Sequence, residues 1–125
     1  MSETVKVIDL VNALQLEIIT GNEEALEREI KISDISRPGL ELTGYFTYYS
    51  YNRIQLFGSK EITFAQRMLP EERLMVMRRM CAPEIPAFVV SRGLEVPKEL
   101  IQAGDEAGIP VLRSSVSTSR LLGQL

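Results

Sequence analysis

The last third of the chain carries the pattern that narrows the fold most. Ala87-Phe88-Val89-Val90 is a short apolar run suited to a strand covered on both faces. Residues 97–107 open on a proline and stop at Gly108, as helices do, and Ile109-Pro110-Val111-Leu112 reads as the next strand. Strand, helix and strand at this spacing make a βαβ unit, with parallel strands and a right-handed crossover expected. Parallel strands bury both faces, so the expected class is α/β: a single domain with a mostly parallel sheet flanked by helices.

Length and composition agree with that class and exclude others. The 125 residues, 45% hydrophobic, suit one domain, and two would be cramped. A chain of this size removes about 65% of its unfolded surface from water, enough for a core without staples. With no histidine, neither histidine general-base catalysis nor a histidine-containing zinc site can be built. The single cysteine, Cys81, forms no internal disulfide, which fits a reducing, cytoplasmic setting. A formal charge of −3 has the wrong sign for a nucleic-acid binder, so no nucleic-acid partner is expected. Charges break up Val5-Lys6-Val7-Ile8-Asp9, and no run approaches the 18 or so apolar residues of a span, so no membrane partner is expected either.

The remaining elements are read locally. Val7, Leu10, Val11 and Leu14 fall at helical spacing, with Ser2 or Thr4 as the expected cap. Residues 16–20 read as a strand stopped at Gly21-Asn22, then a turn or helical loop and a short strand at Ile30-Lys31-Ile32. Residues 33–44 read as a structured loop or broken strand. The tyrosine-rich segment after it is expected to be a helix ending at Gly58. A helix over 62–69, capped by Ser59 or Thr63, precedes one opened by Pro70-Glu71-Glu72 and closed by Arg78 and Arg79. Leu74, Met77 and Cys81 form its expected buried stripe, with Met75 and Met80 beside them. Ser114-Ser115 is expected to cap a last helix from about Val116. Its apolar stripe of Leu121, Leu122 and Leu125 is cut off mid-turn, which implies a polypeptide continuing past Leu125.

Parallel α/β domains favour phosphate binding at glycine loops and helix N-termini. Gly39 and Gly44 have the Gly-x-x-x-x-Gly spacing, but Tyr45-Phe46 replace the lysine and hydroxyl that such a loop needs. No Gly-x-Gly-x-x-Gly is present. Ser36-Arg37 can hold an anion, or Arg37 can pair with Asp34 or Glu41. The serines from Ser114 onward can bind an anion at a helix start or simply cap it. Cys81 sits near a helix C-terminus, where the dipole disfavours a thiolate, and reads as core. The methionines and the tyrosines of 45–51 fit either core packing or a contact surface. No catalytic residue and no metal ligand is nominated.

The stretch Asp34-Ile35-Ser36-Arg37-Pro38-Gly39-Leu40-Glu41-Leu42-Thr43-Gly44-Tyr45-Phe46, followed by Arg53-Ile54-Gln55-Leu56-Phe57-Gly58 and Glu61, resembles the N-terminal domain of bacterial HPr kinase/phosphorylase. The similarity continues through 83–91, 97–112 and 117–125. The resemblance implies a regulatory or assembly domain, spanning 1–125, of an enzyme whose catalytic phosphate-loop domain lies outside this chain. That enzyme phosphorylates a serine of HPr, the phosphocarrier of the sugar phosphotransferase system, with ATP or pyrophosphate and magnesium, and reverses the reaction by phosphorolysis in carbon catabolite repression. The implied partners are its own C-terminal kinase domain, further copies in a hexamer, and HPr as substrate. This chain alone is expected to be non-catalytic and without a cofactor. The resemblance also implies a fold like the uridine-nucleotide-binding N-terminal domains of Mur ligases. The alternative is a free-standing module binding a phosphorylated metabolite or uridine nucleotide. The ligand-binding candidates, chosen on chemistry and not carried over from the family, are Ser36, Arg37, Thr43, Gly44, Ser114 and Ser115.

Overall fold

The computed structural model describes residues 5–30, 35–39, 41–47, 49–117 and 120. Its strands are β1 (Val5–Lys6), β2 (Glu17–Thr20), β3 (Glu29–Ile30), β4 (Ile35–Ser36), β5 (Ile54–Phe57), β6 (Phe88–Val90) and β7 (Val111–Arg113). The helices are α1 (Val7–Leu14), α2 (Glu23–Leu26), α3 (Ser59–Gln66), α4 (Pro70–Met80) and α5 (Lys98–Ala107), with a 3-10 turn at Glu41–Thr43. A five-stranded sheet runs in the order β2-β7-β6-β5-β4, and β1 pairs with β3 in a separate ribbon. Strands β4 to β7 are mutually parallel, while β2 joins β7 antiparallel. The protein is thus an α/β domain with a mixed sheet flanked by helices, and β6-α5-β7 is the parallel unit expected from the sequence.

Period-two alternation sends the sheet's side chains into two cores. Phe57, Phe88, Val90 and Val111 meet α3, α4 and α5 on one face. Ile54, Leu56, Val89 and Leu112 meet Val7 and Val11 of α1 on the other. Helix α5 lies so close on the sheet that a Cβ at Gly104 would come within 2.8 Å of Val111 Cγ2 and 2.9 Å of the Ile109 carbonyl. Glycine is what permits that approach.

Several elements differ from the sequence expectation. The segment ending at Gly58 closes on strand β5, not on a helix, and all four β5 residues are buried. A strand covered on both faces hides its alternation, and glycine stops a strand as readily as a helix. Helix α3 begins at Ser59, three residues early, because Gly58 is its N-cap and the Glu61 carboxylate accepts the Gly58 N–H at 2.6 Å. Helix α1 opens in the same way, with Lys6 as N-cap and Asp9 accepting the Lys6 N–H at 2.9 Å. Ser2 and Thr4 lie outside the described residues. On α4, Met77 and Met80 are fully buried, Leu74 and Cys81 only partly, and Met75 is 60% exposed. Of the expected stripe, Met77 lies in the core and Cys81 packs against it, while Leu74 is only half-buried and Met80, expected beside the stripe, is fully buried in its place.

Candidate functional site

Open α/β sheets bind ligands outside the carboxyl ends of their parallel strands. Here β4 ends into Arg37, β5 into Gly58-Ser59, β6 into Ser91-Arg92-Gly93 and β7 into Ser114-Ser115. Ser36 and Arg37 therefore share one edge of the sheet with Ser114 and Ser115, separated by β5 and β6, three strand spacings or about 14 Å. Thr43 is elsewhere. It lines the depression between α3 and α4 with Leu42, Phe64 and Met75, and Gly44 follows it, exposed, at φ 95°.

The polar groups at this edge are largely engaged with one another. The Arg37 guanidinium pairs with Glu61 at 2.8 Å, not with Glu41, and Asp34 lies outside the described residues. The same Glu61 oxygen accepts the Gly58 N–H at the start of α3. A helix N-terminus attracts anions through its free N–H groups and dipole. Glu61, 8% exposed, supplies that negative charge from within the chain.

Ser114 is similarly occupied. Its N–H donates to the Val90 carbonyl at 2.8 Å and its carbonyl accepts the Gly93 N–H at 2.7 Å. Its hydroxyl accepts the Val116 N–H at 3.2 Å, which makes a local turn. Residues 114–117 are not helical, and the hydroxyl accepting the N–H of helical Arg120, at 3.3 Å, belongs to Ser117. Among the described residues the hydroxyl bonded to a helical N–H is thus that of Ser117, not of Ser114 or Ser115. The stripe Leu121, Leu122 and Leu125 lies outside the described residues. Ser115 is exposed.

Sequence reasoning missed Arg92. It takes a left-handed conformation, φ 60°, directly before Gly93 at φ 61°, and its N–H donates to the Val116 carbonyl at 2.7 Å. Non-glycine residues held there carry backbone strain. The available signal was Ser91-Arg92-Gly93 at the end of an apolar run. The Arg92 side chain makes no ion pair among the described residues and adds a positive charge to this edge.

The other nominated groups have structural roles. Tyr49 donates its hydroxyl to the Met80 carbonyl at 2.7 Å, and burial pushes its phenol well above the ordinary range. Phe46 meets Tyr49 edge-on at 5.4 Å, with the Arg79 guanidinium 4.2 Å above the Phe46 ring. These aromatics pack on the end of α4, while Tyr45 and Tyr51 are exposed. Tyr48 lies outside the described residues. Cys81 donates to the Met77 carbonyl at 3.3 Å, and burial pushes its thiol up to about 11, which leaves it a poor nucleophile near neutral pH. Among the described residues no group of three or more His, Cys, Asp or Glu side chains is placed to hold a metal ion. No helix among them is long and apolar enough to cross a membrane.

Comparison with known proteins places the chain in a family. The family model described as HPr Serine kinase N terminus matches residues 5–125. The chain is 67% identical over its full length to the HPr kinase/phosphorylase of Enterococcus faecalis and spans 40% of that protein. It is 57% identical over 121 residues to the HPr kinase/phosphorylase of Listeria monocytogenes, which covers 97% of this chain and 38% of that protein. It is 54% identical over 121 residues to that of Latilactobacillus sakei, covering 97% of this chain and 39% of that protein. The chain thus spans about two fifths of the length of the curated relatives it matches. This chain belongs to the HPr serine kinase N-terminus family and corresponds to the N-terminal part of the longer HPr kinase/phosphorylases.

Proposed function

We propose that this chain is the regulatory or assembly domain of a bifunctional HPr kinase/phosphorylase and does not itself transfer phosphate. The observation that carries the reading is the family match over 5–125, set against relatives about two and a half times as long. In the whole enzyme a C-terminal domain holds the phosphate loop and uses ATP or pyrophosphate with magnesium. It phosphorylates a serine of HPr and removes that phosphate by phosphorolysis, in the cytoplasm, within carbon catabolite repression. The whole enzyme is a hexamer that carries these N-terminal domains on its outside. Incubating the purified 125-residue chain with HPr, magnesium and ATP, with a full-length relative as positive control, tests this by mass spectrometry of HPr. No phosphoserine is expected from the chain alone, and its appearance overturns the reading.

A second reading is favoured by the basic, serine-bearing edge. A phosphorylated metabolite or uridine nucleotide would displace Glu61 from Arg37 and meet Ser36, Ser114 and Ser115 there, in keeping with a fold like that of Mur ligase N-terminal domains. Thr43 and Gly44 would take part only through movement of the 3-10 turn. Calorimetry with a panel of such ligands decides it: saturable heat abolished by Arg37→Ala supports this module, and no heat removes it.

A further inference from the structure

The outer surface of α3 and α4 brings exposed apolar side chains and two depressions together. Phe64 is 44% exposed, Leu69 61% and Met75 60%, although each is large and apolar. Two adjoining depressions share Phe64. One, of about 330 Å³, is floored by Leu42, Met68 and Val76. The other, of about 380 Å³, is bounded by Ser59, Lys60, Thr63 and Arg67. Contiguous exposed apolar surface of this kind marks interaction sites. Met68 and Met75 suit such a surface because unbranched thioethers adapt to the shape of what binds.

The charges around the groove narrow the occupant. Four arginines elsewhere are held by carboxylates: Arg37 by Glu61, Arg73 by Glu99, Arg78 by Glu106 and Arg113 by Glu17. Lys60 and Arg67 pair with no acid among the described residues. Lys60 stands one helical turn before Phe64 on α3 and Arg67, at the helix's C-cap, one turn after it, so the rim there is an apolar anchor between two cations. Glu61 does not neutralise them, because its carboxylate is turned to Gly58 and Arg37. The opposite rim carries Glu72.

We propose that this groove docks an acidic amphipathic helix of a partner protein. Its apolar side chains lie over Phe64, Met68 and Met75, and its carboxylates lie along the Lys60 and Arg67 rim. Glu72 fixes the orientation, since it repels an acidic flank turned the other way. Helix-in-groove binding of this kind takes its affinity from the apolar anchors and its direction from the charges.

The test uses the whole 125-residue chain and a fluorescent synthetic helix with leucines at i, i+4 and i+7 and glutamates along one flank, read by anisotropy. Saturable binding is expected, weakening with added salt and falling about tenfold with Arg67→Glu and with Phe64→Ala. A peptide with lysine in place of every glutamate should bind at least about tenfold more weakly. Both substituted side chains are exposed, and circular dichroism confirms that the variants fold. No saturable binding, equal binding of the two peptides, or binding unchanged by Arg67→Glu overturns the proposal. Sedimentation showing that a second copy of the chain occupies the groove and excludes the peptide also overturns it.

Discussion

Replacing Arg73 by methionine is expected to remove about 3–5 kcal/mol of folding stability, because it strands a buried carboxylate. Arg73 Nε and Nη2 donate to the two Glu99 oxygens at 2.8 and 3.1 Å. Its Nη1 donates to the carbonyls of Ala65 and Met68 at 2.8 and 3.2 Å, at the end of α3. One guanidinium therefore ties α3 and α4 to the first turn of α5. The two side chains are only 14% and 7% exposed, so water in the open depression they line replaces only part of what is lost. Urea unfolding should show the midpoint falling sharply, and an unchanged midpoint contradicts this account. The pH dependence follows from the same contact. The hydrogen bond from Arg73 holds the Glu99 carboxyl below its ordinary value of 4.5. A carboxylate with a depressed folded value contributes fully above its unfolded value and loses that contribution as pH falls through the folded one. The gap between the parent chain and Arg73→Met should therefore be widest near neutral pH and narrow on acidification below about 4.

Phe57→Ala is the second change of that size, expected to cost about 3–5 kcal/mol through lost burial and the cavity left behind. Phe57 is fully buried on β5, a strand bonded on both sides, and its ring centre lies 6.0 Å from that of Phe88. Both rings sit under the three helices of one face, where no neighbour can close the gap without moving a strand. Phe64→Ala is the control: the same chemical change at a half-exposed site should cost far less, within about 0.5 to 1 kcal/mol. Folds of this size hold only about 5–15 kcal/mol in all, so Phe57→Ala should be near the limit of stability at 37 °C.

What was legible in the sequence was local. Pro70, the acids after it and the arginines at its far end define α4 within its own eleven residues. Pro97 and Gly108 bracket α5 in the same way. Strand β5 was hidden because Ile54-Gln55-Leu56-Phe57 is buried on both faces and shows no alternation to read. Ser36, Arg37, Ser114 and Ser115 could be nominated by chemistry, and their common edge follows from the strand order. The partner of Arg37 could not be found this way. Glu61 is 24 residues away, and only the packing of α3 beside β4 and β5 brings it to the guanidinium. Arg92 was hidden for a further reason, since its left-handed backbone is tied to distant partners, its own N–H donating to Val116 and that of Gly93 to Ser114.

On the function proposed above, this chain acts as the N-terminal part of a longer enzyme. The most direct measurement is the mass of the native product in cell extract, detected with an antibody raised against the chain. A band roughly two and a half times the 14.1 kDa of this chain is predicted, matching the share of the relatives that it spans. A band at 14.1 kDa would contradict the claim and leave a free-standing module whose ligand would then have to be sought at the carboxyl edge of the sheet.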